Sequence, residues 1–199
     1  MRLALLAAAL AAAGAAEAAA IDLSLVDASG KPLPDAVALL EPVGAKAAVT
    51  PVADVEIAQA KRRFHPRVTV VTVGSKISFP NFDAVRHHVY SFSAIKTFEL
   101  KLYAGVPAEP VLFDKPGVAV LGCNIHDTMA AWVVVSDTPW YARSADTGKA
   151  RIDNVPAGSY QLHLWHPGLA PGVEPPPVAL TVGSADIERS AQIAVSAQP

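Results

Sequence analysis

The sequence predicts an all-β fold, either a β-sandwich or a Greek-key barrel. Two observations lead to this prediction. Seventeen prolines and twelve glycines are spread over the 199 residues, and the segments between them are short and rich in valine. Such segments form short strands joined by tight turns more readily than they form long helices.

Strand patterns recur along the whole chain. Residues 21–27 alternate apolar and polar side chains, which is typical of a half-buried strand. The other predicted strands are 36–40, 68–73, 76–79, 87–92, 111–113, 118–121, 132–135, 150–152, 159–165, 179–182 and 187–195. Residues 93–110 fit no single pattern, and we interpret them as a short helical turn or an irregular excursion.

The first twenty residues have the pattern of a secretory signal peptide. Arg2 gives a positive start, 3–16 is an apolar run, and Ala18 and Ala20 fit a small-residue cleavage pattern. The cut could also fall a few residues earlier. No second run is long enough to span a bilayer. We therefore expect a soluble protein without a membrane span, exported to the periplasm as a monomer.

The net charge of the chain gives no support for a nucleic acid or an acidic membrane surface as a partner. The formal net charge is −2, which gives no electrostatic reason to expect nucleic acid. It gives no reason to expect a polybasic contact with a membrane either.

Sulfur-containing residues are scarce. Cys123 is the only cysteine, and of the two methionines Met1 leaves with the signal, so that Met129 remains. His126 lies between Cys123 and Met129. A single thiol in an exported protein can pair between chains, lie inert in the core, act as a nucleophile or bind a metal.

The spacing Cys123, His126, Met129 favours the metal-binding alternative. Soft sulfur ligands suit Cu(I) and imidazole suits both copper states, so a tight loop of this kind can supply three ligands of a mononuclear copper site. The fourth ligand must be an imidazole from another segment. We prefer His87 or His88, which begin a strand and of which only one can face the site. The other candidates are His65, His163 and His166.

Simpler interpretations exist for each of these residues. Cys123 and Met129 can be ordinary core residues. A Cys–His nucleophile pair is disfavoured because Cys123 and His126 are too close in sequence, and no third orienting residue is evident. Asn81 and Asp83 are better interpreted as holding a loop by hydrogen bonds from side chain to backbone than as catalytic residues. We therefore expect no enzymatic activity.

The segment from about 55 to 136 resembles the cupredoxins, the small blue copper proteins. The matching positions are Gly74, Phe79, Asn81, His87, Gly117, Cys123 and His126. The tight Cys-x-x-His-x-x-Met loop looks most like that of the amicyanins. The Phe64-x-Pro66 and Pro80-Asn81-x-Asp83 stretches look like the bacterial "methylamine utilization" proteins of plastocyanin type.

This resemblance implies a ligand set and a function. His87, Cys123 and His126 would form a plane around one copper ion, with Met129 as the weak axial ligand. The ion would cycle between Cu(I) and Cu(II), carrying electrons to or from a protein redox partner such as a cytochrome or a dehydrogenase. The alternative is a copper carrier with the same ligands. A third interpretation is an adhesion or carbohydrate-contact module with a vestigial site. His88 stands where these families usually have Asn, and it either replaces that residue or competes as a ligand.

The rest of the chain resembles a different family. Residues 27–33 and 154–160 look like parts of a carboxypeptidase-regulatory-like or transthyretin-like β-sandwich. The expected organisation is a signal peptide at 1–20, a split sandwich at 21–54 and 138–199, and a cupredoxin domain inserted at 55–137. The predicted fold class is thus all-β, a Greek-key cupredoxin sandwich combined with a second small β-sandwich.

Overall fold

The computed structural model describes residues 18–107, 109–126 and 128–195. Within these ranges the chain forms strands, turns and loops, with no α-helix. No helix long and apolar enough to cross a membrane occurs among these residues. Residues 1–17, which hold most of the predicted signal peptide, lie outside the described part of the chain.

Seventeen strands follow one another in the described ranges. The first ten are β1 (Ala18–Val26), β2 (Val37–Pro42), β3 (Val55–Glu56), β4 (Ala58–Ala60), β5 (Arg63–His65), β6 (Val68–Thr72), β7 (Ser75–Ser78), β8 (His87–Ser93), β9 (Lys96–Tyr103) and β10 (Val111–Phe113). The rest are β11 (Gly117–Gly122), β12 (Ala130–Ser136), β13 (Tyr141–Arg143), β14 (Lys149–Pro156), β15 (Gly158–Trp165), β16 (Val178–Val182) and β17 (Ile187–Gln192).

One pair of sheets combines strands from the two ends of the chain. Its sheets have the strand orders β14-β1-β17 and β13-β2-β15-β16. Strand β1 lies at the centre of its sheet, antiparallel to β14 and parallel to β17. Its alternation buries Ile21, Leu23 and Leu25 in a core shared with residues of β2, β15 and β16. We call this unit the outer sandwich.

Strand β1 begins inside the segment predicted as signal peptide. Ala18 pairs with Pro156, and Ala19 and Ala20 are buried. A cleavage a few residues before Ala20 would leave this pairing intact.

A second set of sheets is formed by the middle of the chain. It contains a five-stranded sheet of order β6-β12-β11-β8-β9, a three-stranded sheet of order β10-β7-β3, and the hairpin β4-β5. A separate core lies between them, with Phe79, Phe113, Leu121 and Val133 among its buried members. We call this unit the inner sandwich. Two β units, each with its own core, confirm the predicted fold class, whereas the domain limits and the second family stay predictions.

The two units touch through a small apolar cluster. Val37 of the outer sandwich packs with Val68 and Val134 of the inner one, and all three are at most 1% exposed. Trp132 and Trp165 flank them, half-buried. On the side of the inner sandwich, this contact involves β6 and β12, on the face of the five-stranded sheet that points away from the inner core.

The interpretation of residues 93–110 as a helical turn or irregular excursion is wrong for most of that segment. Residues 96–103 form strand β9, an edge strand paired antiparallel with β8. Half-buried Phe98 and Leu100 alternate with exposed Thr97 and Glu99. The period-two pattern of an edge strand was therefore present in the sequence.

Candidate metal centre

The loop between β11 and β12 carries three of the four predicted ligands. Gly122 pairs with Ala130, which closes the loop 123–129 between adjacent antiparallel strands. Cys123 and Met129 are buried at its two ends, with 3% and 1% of their surface exposed. The Met129 N–H donates a hydrogen bond to the His126 carbonyl at 2.9 Å, which tightens the turn. Asp127 lies outside the described residues.

His87 reaches this loop from the neighbouring strand. It begins β8, which pairs with β11 where Tyr90 lies opposite Gly122, and its side chain is fully buried. Its Nδ1 lies 3.8 Å from the Sγ of Cys123, and its ring centroid lies 5.2 Å from that of His126. One ligand atom from each of His87, Cys123 and His126 lies within 4.8 Å of the other two. The structure thus brings together the three residues predicted for the ligand plane.

Asp83 fixes the orientation of the His87 ring. Its Oδ2 lies 2.8 Å from His87 Nε2. Because an ionised carboxylate only accepts hydrogen bonds, Nε2 carries the proton and Nδ1 keeps its lone pair toward Cys123. Partial burial raises the pKa of Asp83, but hydrogen bonds from the Arg62 N–H, the His87 ring and the Lys61 N–H outweigh it and lower the pKa overall. The carboxylate therefore stays ionised at neutral pH.

The same carboxylate also holds the tip of the hairpin β4-β5. Lys61 N–H donates to Asp83 Oδ1 at 2.7 Å, and Arg62 N–H donates to Oδ2 at 2.9 Å. Both tip residues have left-handed backbones, with φ of 53° and 56°. Two-residue hairpin turns of this kind usually use Asn-Gly, because other side chains are strained there. Asp83 compensates by accepting both N–H groups and so links the hairpin to His87.

Asn81 holds the loop that carries Asp83. Its Nδ2 donates to the carbonyls of Val85 and Tyr103, both at 2.9 Å, and its Oδ1 accepts the Asp83 N–H at 3.0 Å. Asn81 therefore has the loop-holding role expected of it. Asp83 does more, because it also contacts His87, which the sequence interpretation missed. The available signal was a carboxylate four residues before a candidate ligand.

A buried nitrogen without a partner marks the centre. The Nδ1 of His126 has no hydrogen-bond partner among the described residues, although it is shielded from solvent. Leaving such an atom unpaired is costly, and a bound metal ion is one way to satisfy it. Two imidazoles and one thiolate are a donor set that suits copper or zinc. The residues present therefore fit a soft or borderline metal.

Met129, three residues after His126 in the sequence, is the predicted axial ligand. It is part of the same buried core cluster as Cys123, and both residues line a common cavity with Asn124. Its role as a ligand stays a prediction.

His88 lies away from the cluster, as strand alternation predicts. It is 6% exposed, and its ring makes an edge contact with Tyr90 at a centroid distance of 5.6 Å. Its Nε2 lies 3.0 Å from Glu99 Oε1, at an angle that does not make a hydrogen bond. Among the described residues, the His/Cys cluster contains His87 and excludes His88.

The other three candidate histidines also lie outside the cluster of His87, Cys123 and His126. His65 is exposed on β5. His163 Nε2 lies 3.0 Å from a Glu41 carboxylate oxygen, and His166 is buried with its Nε2 3.1 Å from the Pro34 carbonyl. None of these three belongs to the described cluster.

Comparison with known proteins gives structural neighbours only. No protein-family model and no curated protein matches the chain. A purple cupredoxin from Nitrosopumilus maritimus is 21% identical, with 42% of this chain and 100% of that chain covered and a TM-score of 0.38. A mutant of amicyanin in its reduced Cu(I) form is 21% identical, with 50% and 98% covered and a TM-score of 0.39.

A third neighbour is the copper-containing nitrite reductase NirK from Thermus scotoductus SA-01. It is 24% identical, with 57% of this chain and 28% of that chain covered and a TM-score of 0.40. At these identities and scores the neighbours carry no conclusion about ligands or partners. The chemistry of the centre follows from the residues of this chain.

Proposed function

We propose that the chain binds one copper ion and passes single electrons between protein redox partners. The ion would be held by His87, Cys123 and His126, with Met129 as the weak axial ligand. The observation that supports this most strongly is the convergence of an imidazole, a thiol and a second imidazole to within 4.8 Å, from a strand and a loop distant in sequence. This donor set, with a long axial thioether, is typical of electron-transfer copper sites.

Copper would supply the one-electron chemistry by alternating between Cu(I) and Cu(II). The protein supplies rigidity. Asp83 fixes which nitrogen of His87 faces Cys123. Asn81 ties down the loop that carries Asp83, and the β11–β12 pairing fixes the ends of the loop 123–129. Ligands held in this way move little when the charge of the metal changes, which favours fast electron transfer.

His126 is the proposed point where electrons enter or leave. It is half-buried, whereas His87 is fully buried, and its neighbour Ile125 has 46% of its surface exposed. A small surface of this kind suits a short-lived redox encounter. We further propose that the chain acts as an exported, periplasmic monomer without enzymatic activity, and that its partner is a cytochrome or a dehydrogenase.

The test is to add Cu(II) to the purified protein and to record its visible spectrum and copper content. We expect one copper per chain and an intense thiolate-to-copper charge-transfer band, absent in Cys123→Ser and in His87→Ala. His88→Ala is the matched control, because His88 lies on the opposite face of β8, and it should keep the band. A wild-type protein without the band, or a band that survives in Cys123→Ser, contradicts the proposal.

Electrochemistry separates electron transfer from copper delivery. A reversible one-electron wave and fast exchange with a small redox protein are expected. A colourless centre that holds only Cu(I) and passes it to a chelator would instead identify a copper carrier with the same ligands.

A further inference from the structure

The hairpin β4-β5 and the residues after it carry a dense run of cations. Residues 61–67 read Lys-Arg-Arg-Phe-His-Pro-Arg, with four of the chain's 16 lysines and arginines and no acidic residue. The side chains of Lys61, Arg62, Arg63, His65 and Arg67 are all exposed. We call them the basic hairpin surface. It is a local departure in a chain whose formal net charge is −2.

This surface is anchored to the inner sandwich. Phe64, between the cations, is only 3% exposed and belongs to the inner core. Gln59 N–H donates to the Pro80 carbonyl and Phe82 N–H donates to the Gln59 carbonyl, both at 2.8 Å. The hairpin is therefore packed against the loop that leads to His87, and the backbone that carries its charges is held in place.

On one side the basic hairpin surface borders the candidate ligand His87. The backbone of Lys61 and Arg62 binds Asp83, and Asp83 binds His87 Nε2. Because these bonds use backbone N–H groups, the side chains of both residues remain available at the surface.

On the other side it borders the ligand loop. A cleft of about 460 Å³ is lined by Arg63, His65, Arg67, Thr128 and Trp132. Thr128 is an exposed residue of the loop 123–129. The guanidinium of Arg67 lies 5.0 Å from the centroid of the Trp132 ring, in cation–π geometry. The cations thus extend along the rim of the candidate centre from Asp83 to Thr128.

The side chains of three of these cations, Lys61, Arg62 and Arg63, lack an acidic partner among the described residues. Asp83, whose carboxylate contacts the hairpin tip, is already occupied by backbone groups and by His87. Arginine binds carboxylates through two parallel hydrogen bonds, and a cluster of one sign accelerates the encounter with an oppositely charged surface.

We propose that the basic hairpin surface is the docking site for the acidic face of the protein that exchanges electrons with the copper centre. This inference rests on the proposed function. Exposed Phe82, hydrogen-bonded to β4, adds an apolar contact beside the cations. The partner's carboxylates would be drawn to the arginines, which places its redox centre close to the ligand loop for transfer of one electron.

A kinetic experiment tests whether the charges of the basic hairpin surface affect electron transfer at the copper centre. The copper(I)-loaded protein is oxidised by hexacyanoferrate(III), an anionic one-electron oxidant that is itself reduced by that electron, at low and high ionic strength. We compare the variant Lys61→Gln, Arg62→Gln, Arg63→Gln with the control Lys31→Gln, Lys46→Gln, Arg189→Gln. The control removes the same net charge from exposed positions in other parts of the chain.

The hairpin variant should lower the low-salt rate by about tenfold or more and flatten its salt dependence, whereas the control should have a much smaller effect. With a cationic oxidant, hexaammineruthenium(III), the hairpin variant should react faster than wild type. Equal losses in both variants would show that only the net charge matters, and would overturn the proposal.

A binding experiment on the metal-free chain tests the docking surface without copper. Poly-L-glutamate serves as the probe of an acidic protein face, with vesicles containing phosphatidylserine and a single-stranded oligonucleotide as alternatives. Tighter binding of polyglutamate to wild type than to the hairpin variant supports the proposal, and hairpin-dependent binding of vesicles or oligonucleotide alone overturns it. Absence of the visible band in wild type would refute the copper function, and this binding result would still stand.

Discussion

Asp83 is the residue on which the orientation of the candidate centre depends most, although it is not itself a proposed ligand. Its carboxylate accepts hydrogen bonds from two backbone N–H groups and from the ring of His87. Groups that orient a ligating histidine in this way contribute strongly to metal affinity, because they fix the ring and its tautomer.

Asp83→Asn should therefore weaken copper binding by about 10- to 100-fold. An asparagine oxygen at the position of Oδ2 can still accept the Arg62 N–H and the His87 Nε2–H, but the amide nitrogen then faces the Lys61 N–H, which it cannot accept. The neutral amide oxygen is also a weaker acceptor than a carboxylate, so the ring is held less firmly. Competition with a Cu(I) chelator measures the affinity. Asp114→Asn, at an exposed turn between β10 and β11, is the matched control. Equal affinity in wild type and Asp83→Asn would show that the negative charge of Asp83 does not contribute to copper affinity.

Individual site residues were also the feature that the sequence predicted best. Cys123, His126 and Met129 lie in one short loop, so that their proximity follows from spacing alone. The choice of His87 over His88 used the alternation of a strand together with the resemblance to the cupredoxins. The contact of Asp83 with His87 left a sequence signal, a carboxylate four residues before a candidate ligand. Its contact with the hairpin was out of reach, because it depends on the tip at Lys61 and Arg62 meeting a loop about twenty residues away.

At the scale of elements, substitutions should destabilise the fold most at tight turns that have no room for a side chain. Gly148 precedes β14 with a φ of 71°, and a Cβ there would lie 2.4 Å from the Leu25 carbonyl oxygen. Gly30 has a similar φ of 83° but has nothing within 4 Å of its Cβ position. The pair separates the cost of the backbone conformation from the cost of a steric clash.

Gly148→Ala should lower the free energy of unfolding by about 2–4 kcal/mol, through left-handed strain and displacement of β1. Gly30→Ala should cost only about 1 kcal/mol, the strain alone. Urea unfolding followed by tryptophan fluorescence gives both values. Similar losses in the two variants would mean that the turn at Gly148 relaxes around the new methyl group.

Some strands were predicted well from the sequence, and others were missed. Strand β15, which alternates regularly, was predicted close to its observed limits, whereas β1 begins at Ala18, before the predicted strand 21–27. Strand β9 was missed because it is an edge strand with charged residues at its start and in its middle and with partly exposed apolar positions. The short strands β3, β4, β5 and β13 were missed as well, since two or three residues carry no periodicity. Their positions depend on pairing with distant segments.

At the scale of the whole molecule, the two sandwiches are joined by two chain crossings and by the cluster around Val37, Val68 and Val134. His166 lies near this contact. It follows β15 in the outer sandwich, and its environment includes Asp35 and also Arg67 of the inner sandwich. Protonation of His166 therefore changes the charge at the contact between the two sandwiches.

His166 is held neutral in the folded protein. Burial lowers its pKa below the ordinary value of 6.5, and the charge of Arg67 adds to this, while the Pro34 carbonyl and Asp35 act in the opposite direction without compensating. The Gly168 N–H donates to its Nδ1 at 2.9 Å, and its Nε2–H donates to the Pro34 carbonyl at 3.1 Å. Both nitrogens are thus satisfied by the neutral ring, and a second ring proton would break the bond to Gly168.

The stability of the molecule should therefore fall as the pH falls below 6.5. In that window the unfolded chain binds a proton at His166 that the folded chain does not, so the free energy of unfolding decreases until the lowered folded pKa is reached. His166→Gln should lose less stability than wild type between neutral and acidic pH in urea unfolding. His65→Gln, at an exposed position, should behave like wild type. If His166→Gln keeps the full loss, the acid sensitivity originates elsewhere in the molecule.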